Sequence, residues 1–98
     1  MARPLAVDLS SDDVRPYFLW SEDTTVGQLR ARLVAARGGD WARLVGMIMR
    51  EARDPDVWRF VTPAEVAERY ADLRPLLGRR RAFWDYLLEA WRSDGYLA

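Results

Sequence analysis

The chain has 98 residues, half of them hydrophobic, and fifteen arginines balance fifteen acids with no lysine, for a formal charge of zero. That length fits one domain, the composition is that of a globule and not of a disordered segment, and the balanced charge argues against a dedicated nucleic-acid scavenger. Cysteine and histidine are both absent, which excludes disulfides, thiolate metal sites and the usual general base together.

Residues 1–23 read as an acidic aromatic leader. Arg3 and Arg15 stand against Asp8, Asp12, Asp13, Glu22 and Asp23, a net −3, whereas residues 24–98, the helical domain, set thirteen arginines against ten acids, a net +3. The first eight residues hold too short an apolar run for a signal peptide, and no stretch approaches the ~20 apolar residues of a membrane span; a cytoplasmic protein without membrane contact is expected. Pro4 and Pro16 discourage a long helix. Pro16-Tyr17-Phe18-Leu19-Trp20 then places four large apolar residues in a row. Such a segment either folds back onto the body as an extended clip or docks on a partner.

The first helix is expected over 24–37, capped by Asp23 or Thr24, with Val26, Leu29, Leu33 and Ala36 as its apolar stripe and Gly38-Gly39 as its left-handed stop. Asp40 then caps a second helix, 40–53, whose inner face is Trp41, Leu44, Val45, Ile48, Met49 and Ala52, with Met47 on the polar side. The short link makes the two an antiparallel pair. Asp54-Pro55 opens one short turn, anchored by Trp58 and Phe60. Thr62-Pro63-Ala64-Glu65 is a capping box that starts a third helix, 63–73, with Val66, Tyr70 and Leu73 inward. The last helix, 80–94, ends at Gly95. At about 100° per residue its apolar positions Tyr86, Ala90, Phe83, Leu87, Trp91, Trp84 and Leu88 span roughly 200° of arc, about twice what one core contact needs. With no alternating strand pattern and no internal repeat, the expected fold is all-α: four main helices with the leader packed on them, and a core of Leu29, Leu33, Trp41, Leu44, Val45, Ile48, Trp58, Val66, Tyr70, Leu73, Leu87 and Trp91.

No motif for catalysis, cofactor binding or metal binding is present. Asp12-Asp13 and Glu22-Asp23 are adjacent carboxylates in an acidic loop, and Asp85 and Glu89 share a helix face with Arg81 and Arg92 as ion-pair partners. Arg79-Arg80-Arg81 at a helix start invites a DNA-binding reading, as a helical transcriptional regulator. The polar strip behind those arginines is too thin for a recognition helix. It would gain weight if Arg79, Arg80 and Arg81 formed an exposed ridge with Arg74 and Arg92. A protein-binding module is the stronger class, with a structural adaptor domain as a further alternative.

Three segments taken together resemble a known type of protein. They are Pro16-Tyr17-Phe18-Leu19-Trp20-Ser21-Glu22-Asp23, the run from Arg50 to Val66 containing Asp54-Pro55-Asp56-Val57-Trp58, and Leu76-Leu77-Gly78-Arg79-Arg80-Arg81-Ala82-Phe83-Trp84-Asp85-Tyr86-Leu87-Leu88. Their order resembles small bacterial helical antitoxin-like proteins encoded beside AbiEii-type nucleotidyltransferase toxins, over about residues 15–95. The resemblance implies a non-catalytic partner that neutralises a cognate nucleotidyltransferase toxin by direct binding. The expected contact residues are Tyr17, Phe18, Trp20, Arg79, Arg80, Arg81, Trp84, Leu88 and Trp91. In this reading Phe83, Leu87 and Ala90 pack under the first two helices. The Trp84 flank and the leader's aromatics form one composite surface, closed in the free protein and shared with the partner in the complex.

Overall fold

Caps and glycines set the helix boundaries. The computed structural model describes residues 4–97; Met1–Arg3 of the leader and Ala98 lie outside the described residues. Among the described residues six α-helices follow one another: α1 Val26–Ala35, α2 Gly38–Glu51, α3 Asp54–Val57, α4 Pro63–Glu68, α5 Tyr70–Leu73 and α6 Arg81–Ser93, with 3-10 turns at Arg74–Leu76 and Gly78–Arg80 between the last two. The molecule is therefore mostly helical.

The cap of α1 is Thr25, one or two residues later than the sequence suggests: its hydroxyl accepts from the Gln28 N–H at 3.2 Å and the Gln28 side chain accepts from the Thr25 N–H at 2.9 Å. Glu65 and Thr62 make the same reciprocal box at α4, at 3.0 and 3.1 Å, as predicted. α1 stops at Ala35, with Ala36 already extended. Gly38, at φ +53°, consequently opens α2 instead of closing α1. Asp40 lies inside the first turn of α2, where its charge suits the positive end of the helix, and it pairs with Arg43. The predicted third helix is broken at Arg69 (φ −108°, ψ 16°) into α4 and α5. At that break the Arg69 guanidinium lies 4.9 Å from the Trp41 ring centre and donates to the Gly38 carbonyl at 3.4 Å, tying the bend to the start of α2. α6 ends as expected on Gly95, at φ +83°. The Gly95 N–H reaches the Arg92 carbonyl at 3.2 Å and the Tyr96 N–H reaches Trp91 at 2.8 Å, the paired bonds of a Schellman motif.

α2 is the hub. Ala42, Val45, Gly46, Ile48 and Met49 are buried along it, and α1, α3, α5 and both 3-10 turns pack against it. Gly46 permits the closest approach: a Cβ there would lie 2.9 Å from the Leu76 Cβ. Of the expected core, Leu29, Val45, Ile48, Val66 and Leu73 are fully buried, while Leu33, Trp41, Leu44, Trp58, Tyr70, Leu87 and Trp91 are half-buried around them. Met47 is not on an open polar face; it too packs half-buried against this core.

Residues 4–23 are tied into the helices by their backbone. Leu5–Ala6 (β1) pairs in parallel with Arg15–Pro16 (β2), a two-residue ladder absent from the all-α expectation. A run of two residues carries no periodicity, so sequence reading has nothing to detect there. The loop between the strands buries Leu9 and brings carbonyls to the start of α1: Val14 accepts from the Val26 N–H at 2.9 Å and Asp12 from the Gly27 N–H at 3.0 Å. With Thr25 serving Gln28, the first-turn donors of α1 that a helix leaves orphaned are satisfied. Gly27 is glycine for this reason, since a Cβ would stand 3.1 Å from Asp12 Cβ.

Candidate functional site

Tyr17, Arg80 and Trp84, three of the residues expected at a partner surface, meet at one internal place, the C-terminus of α2. Arg53 N–H would continue that helix by bonding to Met49, but it donates to the Tyr17 hydroxyl at 2.8 Å. The Met49 carbonyl instead accepts from the Trp84 indole Nε1 at 3.0 Å and from Arg80 at 3.4 Å, and Arg80 also donates to the Ala52 carbonyl at 2.6 Å. The guanidinium reaches Asp54 at 3.3 Å and lies 5.0 and 5.6 Å from the Phe83 and Trp84 ring centres. Donors placed against helix-end carbonyls satisfy groups that the helix cannot, and the cationic charge suits its negative end.

The composite surface of leader and Trp84 flank does not form. Trp84 and Leu88 are fully buried, and the ring covering that flank is Trp58, edge-on to Trp84 at 5.6 Å and tilted against the half-buried Trp91 at 5.4 Å. Among the described residues no ring contact joins Tyr17, Phe18 or Trp20 to Trp84. The leader docks on residues 53–60: buried Phe18 stands edge-on to Phe60 at 5.8 Å, and the half-buried Tyr17 donates to Asp56 at 2.6 Å beneath the Arg53 guanidinium. Burial first, then the Asp56 bond, pushes the Tyr17 phenol above its ordinary pKa. The two flanks of α6 are thus exchanged relative to expectation. Trp84 and Leu88 face the core, and the Phe83 and Tyr86 side faces out, with Tyr86 at 74% exposure.

Nor is there a basic ridge. Arg79 is exposed, Arg80 is engaged as above, and Arg81 turns back to the Arg74 and Pro75 carbonyls at 3.1 and 3.4 Å. Arg74 is clasped by Asp85, whose carboxylate accepts from Arg74 Nη2 at 2.9 Å, Nε at 3.0 Å and the Tyr70 hydroxyl at 2.7 Å. The Arg74 bonds, then Tyr70, hold the Asp85 carboxyl below the usual carboxylate range; burial, then the Asp85 bond, pushes the Tyr70 phenol well up. A carboxyl lowered in the folded state stabilises the fold above its unfolded pKa of ~3.9, and that contribution is lost as pH falls through the folded value. A raised phenol contributes below ~10 and is lost as pH rises. Asp85→Asn is therefore expected to flatten the acid limb of the stability–pH curve below about pH 4, read from urea midpoints; an acid limb identical to wild type would refute the clasp.

What stays open to solvent is the turn after β2. Arg15, its side chain only 11% exposed, donates from Nε to the Glu22 carbonyl and from Nη2 to the Trp20 carbonyl, both at 3.2 Å, and pairs with Asp23 at 3.6 Å. Leu19 N–H closes the turn onto Pro16 at 3.1 Å. Phe18 and Leu19 point in, and Trp20 points out at 69% exposure. Its neighbours Leu19, Ser21 and Glu22, but not Trp20 itself, line an open groove of about 610 Å³, floored by Leu19, Ala35, Ala36, Leu44 and Met47 and rimmed by the ion pairs Glu22–Arg32 at 2.9 Å and Asp40–Arg43. The sequence singled out Trp20 but not the groove, whose walls come from three elements and leave no spacing to find. Among the described residues, no three acidic side chains converge where a metal ion could be held, and no helix is long and apolar enough to cross a membrane.

The fold and this surface define a small, mostly helical domain with a solvent-facing tryptophan on a hydrogen-bonded turn. Compared with protein-family models, curated proteins and solved structures, the chain matches none.

Proposed function

We propose that this chain is a non-catalytic, antitoxin-like protein-binding module of the bacterial cytoplasm, which neutralises a cognate nucleotidyltransferase toxin by direct binding through the Trp20 turn and the groove beside it. The observation that carries the reading is the setting of Trp20: a large apolar ring left in water on a turn whose backbone Arg15 already holds. Tryptophan is over-represented among residues that dominate binding energy, and a turn ordered in advance loses little entropy on docking. The apolar floor and charged rim of the groove match the core and rim of a protein interface. The class of partner comes from the resemblance in the leader and in the Phe83-Trp84 helix.

Within the expected contact set, Trp20 is the anchor, and Tyr17 is committed to Asp56 and the Arg53 N–H at the end of α2. Phe18, Trp84 and Leu88 keep the framework, and Arg79 and Trp91 lie elsewhere on the surface. The DNA-binding alternative loses support with the ridge of arginines, since Arg74, Arg80 and Arg81 are all engaged within the chain. Trp20→Ala is expected to leave stability within about 0.5 kcal/mol of wild type, as at other exposed sites. It should weaken binding to the nucleotidyltransferase encoded by the adjacent gene at least about tenfold. Thermal unfolding and titration calorimetry read the two effects. Undiminished affinity in the variant would remove Trp20 from the interface, and no binding by wild type would end the antitoxin reading.

A further inference from the structure

The outward flank of α6 has a feature that the Trp20 site does not explain. Phe83 and Tyr86 are exposed, and Leu87 and Ala90 are half-buried. At about 100° per residue these four occupy one arc of roughly 100°. Beyond the helix ends stand Arg79, in the 3-10 turn that leads into α6, and Asp94, its C-cap. Both are exposed, and among the described residues neither takes part in an ion pair. Phe83 is not a loose ring: Arg80 lies over it at 5.0 Å and Trp84 meets it edge-on at 5.1 Å. The stripe thus has a rigid aromatic centre, a cation at one end and an anion at the other.

Such a stripe is complementary to itself when reversed. Let two copies of α6 lie antiparallel about a two-fold axis, with Tyr86 of one facing Leu87 of the other. Phe83 then faces Ala90, a large ring over a small residue, and Arg79 faces Asp94 at both ends. In an isologous contact each pairing occurs twice, so one matched charge pair serves both ends. A zero formal charge leaves little net repulsion between copies. We propose that this face is a self-association surface, and that its occupant is a second copy of this chain with α6 paired antiparallel in that register. The proposal uses a different face from the Trp20 turn and does not rest on the antitoxin reading.

The test is sedimentation equilibrium of the full chain across the micromolar range, with circular dichroism melts as the control for folding. Wild type is expected to dimerise, and Tyr86→Glu to return it to monomer without changing the melt. Arg79→Glu and Asp94→Arg each place like charges at both ends and are expected to weaken the dimer about tenfold. Both reversals put charge where the helix dipole favours it, acid before the helix and base after it, so neither should unfold the domain. The decisive measurement mixes them: Arg79→Glu and Asp94→Arg chains form matched pairs at both ends only with each other, so the mixture should recover wild-type affinity as a heterodimer. A wild type that stays monomeric at about 100 µM, charge variants that dimerise like wild type, or a mixture no tighter than its components would each overturn the proposal.

Discussion

Trp84→Ala is expected to remove about 3–5 kcal/mol of stability, as aromatic-to-alanine changes in cores do. Domains of this kind hold only about 5–15 kcal/mol in total, so the loss is a large share of the margin and should appear as a much lower urea midpoint. Two losses combine. The indole is fully buried against Trp58 and Phe83, so its removal opens a cavity. The Met49 carbonyl also loses the Nε1 donor at 3.0 Å in a place where the next helical N–H, that of Arg53, is committed to Tyr17. Trp84→Phe separates the two effects by keeping most of the ring and deleting the donor; it should cost about 0.5–1.5 kcal/mol, the net worth of one hydrogen bond, because the Met49 carbonyl keeps the longer Arg80 bond at 3.4 Å. Urea unfolding of both variants gives the values. A Trp84→Ala protein as stable as wild type would restore Trp84 to the surface role the sequence suggested.

The hydrophobic period of α6 located the helix and its Gly95 stop, and the Thr62 box located α4, because caps and periods are local signals. Yet a band spanning some 200° has two flanks, and nothing local says which one turns inward. The answer lies in Trp58, which comes from the segment after α3 and lies against Trp84 and Trp91. That contact joins residues 26 and 33 positions apart, beyond the reach of any spacing rule. The break at Arg69 is equally non-local, since the residues it engages, Gly38 and Trp41, belong to α2. At the candidate site Trp20 was legible only as one of four apolar residues, Tyr17 to Trp20, that fold back on the body or dock on a partner. Its isolation was not, because it depends on Phe18 and Leu19 being the residues that turn inward and on Arg15 clasping the turn. The arginines misled for a related reason. Three in a row at a helix start look like a surface for phosphates, whereas their long stems allow two of them to reach back to backbone carbonyls.

Arg80 gives the second large effect. Its guanidinium joins the Ala52 carbonyl at 2.6 Å, the Met49 carbonyl at 3.4 Å and Asp54 at 3.3 Å, and it covers Phe83 and Trp84. One side chain therefore closes the end of α2, holds the start of α3 and seats α6. Arg80→Met keeps an unbranched stem and removes the charge and every donor; a cost of about 2–3 kcal/mol is expected, in the range for hydrogen bonds to charged groups. Arg80→Lys should recover little of it. A single ammonium cannot reproduce the planar fork that meets two carbonyls and a carboxylate at once, and its stacking on the two rings is weaker. Because Arg80 and Trp84 share the Met49 carbonyl, their effects should not add. A double-mutant cycle of Arg80→Met with Trp84→Phe is expected to show a coupling of at least about 0.5 kcal/mol. Additive losses would mean that the two side chains act independently on the end of α2. A fully stable Arg80→Lys protein would mean that only charge, and not the geometry of the guanidinium, holds the three helices together.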